Sequence, residues 1–280
     1  MTSQLTTFLV DGPIRAHLST RQGAITMDLR EGITEATVEL HSRDAVDLEP
    51  VTPTYEDGEL VVDLNRLERA GLLRHHTVDV RVTLPADSGV RATTGQGDIT
   101  ASGRLGGGVL TTGQGDISIA EANDLTAKTG SGDVSVHQVN GPLDLTTGSG
   151  DISVAENSST VRASTGSGDI TLAAIVQDGT VNSGSGDITV SVVQGQAKLS
   201  TGSGDLTVSE ITSGGLKTNT AAGDISIGVR PGIPVWTDVN TLTGRVSSSL
   251  QGAGQPQPGQ PHIEIRATTV TGDISLHEVF

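Results

Sequence analysis

The chain has 280 residues, a formal net charge of −16 and no cysteine, which excludes disulfide frameworks, zinc–thiolate sites and thiol nucleophiles. Aromatic residues make up only 1% against 34% hydrophobic residues, so we predict a narrow interior filled by Val, Ile, Leu and Ala. An acidic surface repels phosphate, and no apolar run is long enough to cross a bilayer, so we predict no nucleic-acid partner and no membrane association.

Residues 1–90 contain short alternating segments separated by turn signals such as Asp57-Gly58, with a short helical piece expected near Leu64–Leu73. This rhythm predicts antiparallel or irregular β-structure, and we interpret residues 1–90 as an N-terminal β-rich cap region. The opening segment MTSQLTTFLVDGPIRAHL lacks the basic and apolar stretches of a signal peptide, so we expect a cytoplasmic protein.

A Gly-Asp bend with the motif T-G-x-G-D-aliphatic-[ST] then recurs, with small variations, at spacings of 17 to 19 residues. Eight near-identical copies at such regular spacing are typical of a repeat architecture. The marker aspartates are Asp98, Asp116, Asp133, Asp151, Asp169, Asp187, Asp205 and Asp224.

Each repeat carries two pairs of alternating aliphatic residues. With the Asp as position 1, positions 2 and 4 are aliphatic or Ala, as in Ile170 and Leu172, and positions 11 and 13 form a second pair, as in Val161 and Ala163. The variation in repeat length falls between the two pairs, so the bend is fixed and the second corner is tolerant. We predict an all-β, right-handed parallel β-solenoid of about 18 residues per coil over residues 91–280.

The repeat weakens after Ile227. Residues 252–261, GAGQPQPGQP, form a Gly/Pro/Gln-rich segment that predicts a loop within the solenoid region. Gly272–Leu276 then restores the motif and predicts a last partial coil.

The succession of TGSGDITV-like coils after an aliphatic, β-rich N-terminal region resembles the DUF4097 family of β-strand-repeat proteins, described as putative adhesins. The resemblance covers most of the chain and is most specific from Thr94 to Ser226. It implies a β-solenoid, and it brings no established catalytic residues to this sequence.

Stacked coils would place the aspartates from Asp98 to Asp224 in a file at about 4.8 Å spacing, where like charges repel. One interpretation is a Ca²⁺ ladder, because Gly/Asp-rich solenoid repeats can bind that ion. Here Gly directly precedes Asp and the motif recurs once per coil, which favours solvated carboxylates that cap the turns. We therefore predict no metal site.

The two predicted outer faces differ. Position 3 is Ser or Thr in every coil, which either forms a flat binding surface or reflects the preference of these residues for exposed strands. The outward positions of the other strand are charged or amide residues: Lys128, Asp144, Arg162, Asn182, Lys198 and Lys217.

No catalytic or cofactor-binding constellation is apparent. The histidines are scattered, and the adjacent His75 and His76 would point to opposite faces of a strand. The G-S-G-D motifs lack the G-K-[ST] of a phosphate loop. We predict no catalytic residues, no cofactor and no enzymatic activity.

The sequence therefore favours a non-catalytic structural or protein-interaction module, with a protein or a second copy of the chain as partner. One alternative is an adhesin-like surface or glycan-binding protein, which differs in its location. Another is an acidic decoy that mimics nucleic acid, which would bind basic DNA-handling proteins in a salt-sensitive manner.

Overall fold

A computed structural model describes residues 2–42, 48, 50–65, 76–250 and 262–279. The described residues contain 27 β-strands, most of them parallel, and the chain divides into two compact units at Gly141/Pro142. We call residues 1–141 the N-terminal unit and residues 142–280 the C-terminal unit. The predicted all-β, parallel solenoid is confirmed.

The N-terminal unit contains thirteen of these strands. They are β1 (Thr2–Leu9), β2 (Arg15–Gln22), β3 (Ile25–Arg30), β4 (Glu35–Ser42), β5 (Thr54–Glu56), β6 (Glu59–Asp63), β7 (Val78–Pro85), β8 (Gly89–Gln96), β9 (Ile99–Leu105), β10 (Gly107–Gln114), β11 (Ile117–Ala122), β12 (Leu125–Ser131) and β13 (Val134–Val139).

The strands that follow each Gly bend form sheet 1, and the strands that precede it form sheet 2. In the N-terminal unit the order of sheet 1 is β1-β4-β7-β3-β9-β11-β13, and that of sheet 2 is β5-β6-β2-β8-β10-β12. Strand β4 is antiparallel to both β1 and β7, and β5 is antiparallel to β6, whereas the other pairs of this unit are parallel. Residues 1–90 thus contain the expected antiparallel β-structure and also parallel strands.

Strands β2 and β3 form a solenoid coil that the sequence motif did not reveal. Ile25 lies opposite Ile99 in the same parallel register that links later coils. The bend reads T-R-Q-G-A-I, with Ala24 in place of Asp, and Asp79 of β7 accepts the Ala24 N–H at 2.9 Å. Coiling therefore begins at Arg15, inside the region interpreted as a cap. The expected helical piece has Leu64 and Asn65 in helical conformation, and its remainder lies outside the described residues.

The C-terminal unit contains the other fourteen strands. They are β14 (Leu143–Ser149), β15 (Ile152–Asn157), β16 (Val161–Ser167), β17 (Ile170–Ile175), β18 (Asp178–Ser185), β19 (Ile188–Val193), β20 (Gln196–Ser203), β21 (Leu206–Ile211), β22 (Gly215–Ala222), β23 (Ile225–Val229), β24 (Val235–Thr243), β25 (Val246–Ser248), β26 (Ile263–Thr271) and β27 (Ile274–Glu278).

Stacking order departs from chain order at the end of the C-terminal unit. Sheet 1 runs β15-β17-β19-β21-β23-β27-β25, and sheet 2 runs β14-β16-β18-β20-β22-β26-β24. The last coil in sequence, β26–β27, lies between β22–β23 and β24–β25. The region where the repeat weakens is therefore a further coil, β24–β25, and the predicted loop at residues 252–261 lies outside the described residues.

The interior of each unit is built from short aliphatic side chains, as the composition predicts. Positions 2 and 4 are buried in successive coils, with Ile170, Ile188 and Leu206 at most 1% exposed. Position 7 adds a third buried column, which contains Ile175 and Val193. Because coils align residue for residue, each column is a continuous apolar stack.

Candidate functional site

The Gly-Asp bends carry the strongest sequence signal, and the Thr that recurs at the start of the motif forms hydrogen bonds between coils. The hydroxyl of Thr165 donates to the Gly150 carbonyl of the preceding coil at 3.0 Å, and Thr201 donates to Gly186 at the same distance. Both side chains are buried, so these hydrogen bonds satisfy polar groups that would otherwise be unpaired in the interior.

The Gly before each Asp is required by close stacking of the bends. At Gly186 the φ angle is +144°, and a Cβ atom would lie 2.0 Å from the Gly168 carbonyl oxygen. Any other L-amino acid would combine a disfavoured backbone conformation with a collision with the neighbouring coil.

The Asp of each bend links one coil to the next. The N–H of Asp187 donates to Asp169 Oδ1, and that of Asp205 donates to Asp187 Oδ1, both at 2.8 Å. The sequence predicts carboxylates that cap their own turns, whereas the acceptor serves the bend of the adjacent coil. Arg245 in the outermost described coil takes the Asp position and still donates its N–H to Asp273 Oδ1. A carboxylate is needed only where another coil donates to it.

This geometry predicts that the hydrogen-bonding oxygen of Asp187 matters more than its charge. Asp187→Asn retains Oδ1 and relieves like-charge repulsion, so its free energy of unfolding should stay within about 0.5 kcal/mol of the parent value. Asp187→Ala leaves the Asp205 N–H without this acceptor and should cost about 1 kcal/mol, measured by urea denaturation. Equal stability of the two variants would contradict this role.

Metal binding finds no further support in the bends. In the parts of the chain that the structure describes, no group of three or more His, Asp or Glu residues is arranged to hold a metal ion. Of the histidines singled out in the sequence, His75 lies outside the described residues, and His76 precedes β7. Nor do those parts contain a helix with the length and hydropathy needed to cross a bilayer.

A charged pair at the start of the regular coils is structural. Arg104 donates from Nε to Asp87 Oδ1 at 2.7 Å and from Nη2 to Asp87 Oδ2 at 2.8 Å. This bidentate contact lowers the pKa of Asp87, chiefly through the hydrogen bond from Arg104. Asp87 has a φ of 64°, so the ion pair holds a turn in a left-handed conformation.

A depression on sheet 1 of the N-terminal unit collects four charged or titratable side chains. His41 lies opposite Asp79, and Glu39 lies opposite Arg81 with 3.8 Å between carboxylate and guanidinium. Asp79 is already engaged by the Ala24 N–H. The cluster therefore consists of cross-strand pairs on the β4–β7 ribbon, which stabilise its register.

The outer face of sheet 1 in the C-terminal unit is a file of hydroxyl side chains, as predicted. Ser153 lies opposite Thr171, Thr171 opposite Thr189, and Thr189 opposite Thr207. We call this surface the hydroxyl face. Its outward residues are Ser153, Thr171, Thr189, Thr207, Ser226 and Ser275.

The outer face of sheet 2 in the C-terminal unit carries charge. Lys198 lies opposite Lys217, Lys217 opposite Arg266, and Arg266 opposite Asp238. Arg162 occupies the same position of its coil, beside Thr180. Sequence reasoning identified the lysines as outward but missed Arg266 and Trp236, because the reordered last coils place Arg266 of β26 beside β22 and Trp236 of β24 beside β26.

The chain belongs to the Toastrack DUF4097 family, whose model matches residues 51–277. This membership confirms the resemblance based on the Gly-Asp coils. No curated protein matches the sequence.

Several solved structures of bacterial proteins match this chain over nearly its whole length. A putative adhesin from Parabacteroides distasonis shares 14% identity at a TM-score of 0.45, with 99% of this chain and 97% of that chain covered. A putative lipid binding protein from the same species shares 11% identity at a TM-score of 0.46, over 99% and 97% of the two chains. A putative adhesin from Bacteroides fragilis shares 11% identity at a TM-score of 0.35, over 99% and 97%.

Proposed function

We propose that this protein is a non-catalytic interaction module whose partner is another protein or a second copy of the chain. The observation that carries the proposal is the strict register of the outward positions. Because successive coils align residue for residue, the outer face of sheet 1 presents a Ser or Thr hydroxyl at every coil, at a spacing of about 4.8 Å.

The hydroxyl face is the surface we assign to protein contact. It is uncharged, so a partner could cover it without burying an unpaired ion, and its hydroxyls can donate or accept hydrogen bonds at any coil. Small side chains lose little conformational entropy on being covered. By contrast, the Gly, Asp and Thr residues of the bends already form close contacts and hydrogen bonds between adjacent coils, so they are less available to a partner.

Introducing charge on the hydroxyl face tests this assignment. The triple variant Ser153→Lys, Thr171→Lys and Thr189→Lys should abolish self-association in sedimentation velocity, or capture of a purified partner first identified by affinity pull-down. The reason is that three ammonium groups would have to be desolvated on contact.

The matched control places the same charge on sheet 2, with Thr146→Lys, Ser164→Lys and Ser200→Lys, and should leave association unchanged. Retained association in the hydroxyl-face variant, at a melting temperature close to that of the parent, would rule out this face as the contact surface.

The two alternatives differ in location and in ligand. We propose a cytoplasmic location for the interaction module, whereas an adhesin-like or glycan-binding protein acts at the cell surface, and cell fractionation separates them.

An acidic decoy is supported by the exposed Asp file. It requires salt-sensitive binding to a basic DNA-handling protein, measurable with purified histone.

A further inference from the structure

The cations of the C-terminal unit are distributed unevenly. This unit contains six Lys and Arg residues. Arg230, Arg245 and Arg266 have acidic neighbours in Glu210, Asp273 and Glu264. The other three, Arg162, Lys198 and Lys217, form no ion pair with the described residues, and all three lie at the same coil position on the outer face of sheet 2. Arg162 lies opposite Asp144, whereas Lys198 and Lys217 lie opposite each other.

Lys198, Lys217 and Arg266 occupy neighbouring strands β20, β22 and β26, and we call them the basic row. Parallel pairing places them directly beside one another, about 4.8 Å apart. Like charges on directly opposed strand positions destabilise a sheet. Folding alone would therefore favour neutral residues here, as at Thr180 in the preceding coil. Glu264 and Asp238 offset the charge of Arg266, whereas Lys198 and Lys217 face each other with no acidic partner among the described residues. This like-charge pair does not stabilise the sheet, which points to a ligand.

The surroundings of the basic row suit a polar, ring-containing ligand. Beside the row lies a depression of about 240 Å³ lined by Gln196, Gly215, Glu264 and members of the row. Gly215 lies between Gln196 and Glu264 in the adjacent strands, and the Gln196 amide occupies the space that a side chain at Gly215 would need. On the other side of the row, Ser200 and Asn219 present a hydroxyl and an amide.

Trp236 forms the end of this surface. It is 42% exposed, and the guanidinium of Arg266 lies 5.4 Å from the centre of its ring. It lies on β24, the outermost described strand of sheet 2. An exposed indole held in place by a cation–π contact provides a rigid flat surface on which the C–H face of a sugar ring can pack.

From this geometry we propose that the basic row binds an anionic glycan, a saccharide polymer bearing carboxylate or sulfate groups. Lys198 and Lys217 bind the acidic groups of successive units, while Ser200 and Asn219 hydrogen-bond ring hydroxyls. Trp236 packs against a sugar ring at the end of the row. Arg266 is held by Glu264 and orients the indole.

The charge of the protein favours a glycan over nucleic acid. A duplex carries one negative charge per about 1.7 Å, so the net charge of −16 would repel it strongly. Single-stranded nucleic acid requires several aromatic platforms, and Trp236 is the sole tryptophan of the chain. A glycan with one acidic group per sugar unit has a lower charge density and offers many hydroxyls.

Trp236 also provides the assay, because it reports binding through its fluorescence. The probes are polygalacturonate and a dextran sulfate of low substitution, with no more than one sulfate per sugar unit, each titrated into the full chain at low salt. Methyl-esterified polygalacturonate and dextran are the uncharged counterparts. We expect at least one charged polymer to shift the fluorescence and its uncharged counterpart to have no effect. Binding should weaken as salt is added.

The double variant Lys198→Gln, Lys217→Gln should bind at least about tenfold more weakly, since two charge-assisted hydrogen bonds are lost. Its melting temperature should be unchanged or higher, because like-charge repulsion is removed. The matched control is Lys128→Gln, which removes an exposed lysine whose neighbour in β10 is Thr111. This control should bind like the parent.

Each other outcome overturns the proposal. Absence of binding to both charged polymers, equal binding of the uncharged forms, or unchanged binding by the double variant would remove the glycan site. Tighter binding of single-stranded DNA or polyglutamate would assign the row to another ligand class. Loss of self-association in the double variant, without polymer, would assign it to a second copy of the chain. The hydroxyl-face variant should still bind the polymer, so the two proposals fail separately.

Discussion

Gly115→Ala should destabilise the protein by about 2–6 kcal/mol, a large fraction of the stability of a typical domain. Gly115 has a φ of +142°, where an L-residue is strained by about 1–3 kcal/mol. Its Cβ atom would also lie 2.3 Å from the Gly97 carbonyl oxygen, and separating the coils to relieve that collision costs about 1–3 kcal/mol more. Urea denaturation followed by far-UV circular dichroism measures the loss.

Gly89→Ala is the matched control in the same unit. The nearest atom to its Cβ would be the Gly107 carbonyl oxygen at 3.9 Å, an ordinary contact, so the change should be neutral or stabilise by up to about 1 kcal/mol. If both variants unfold at the same urea concentration, close stacking of the bends does not limit side-chain size.

Ile188→Ala should cost about 3–4 kcal/mol, close to the upper part of the range for large-to-small substitutions in a core. Ile188 is fully buried between Ile170 and Leu206 in a column of the interior. The substitution would leave a cavity in the column. The hydrogen-bonded strands on either side fix the distance between coils, so the neighbouring side chains cannot move together to fill that cavity. Calorimetry or urea denaturation gives the change in stability.

The neighbouring outward residue supplies the comparison for Ile188. Thr189→Ala lies on the same strand but removes only partly exposed atoms, so its effect should remain within about 0.5–1 kcal/mol. A cost for Ile188→Ala below about 1 kcal/mol would mean that the column relaxes freely, in conflict with a rigid coil spacing.

Much of the fold follows from local sequence patterns. The alternation of Ile170, Thr171 and Leu172 specifies which face of β17 is buried, and the regular return of the Gly-Asp bend specifies that strands pair in parallel. Both signals recur in every coil. A coil that departs from the motif can therefore still be assigned from the regular coils on either side of it.

Other features of the fold depend on contacts between residues that are distant in the chain, and the spacing of the Gly-Asp motifs does not reveal these contacts. The coil of β2 and β3 was not predicted from the sequence, because Ala24 replaces the marker Asp. The acceptor of the Ala24 N–H is Asp79, which comes from a distant strand. The buried Thr at the start of each motif looks like an ordinary strand residue in the sequence. Only the structure shows that its hydroxyl donates a hydrogen bond to a carbonyl of the previous coil.

The candidate site was predictable only in part. Lys198 and Lys217 are recognisable as outward residues from the period of two. Arg266 joins them because β26 pairs with β22 although 40 residues, 223–262, separate the two strands in the chain, and these residues include β23, β24 and β25. Stacking order at the end of the unit is decided by which surfaces pack best, and a linear pattern carries no such information.

The reversed order of the last two coils constrains how the molecule is made. During synthesis β24 and β25 leave the ribosome before β26 and β27, the strands on which they will rest, have been translated. The end of this unit can therefore be completed only after β26 and β27 have been translated, because these two strands insert between β22–β23 and β24–β25. Removing β26 and β27 would also remove the strands with which β24 and β25 pair, and lengthening the stack by design calls for new repeats before this arrangement in the chain.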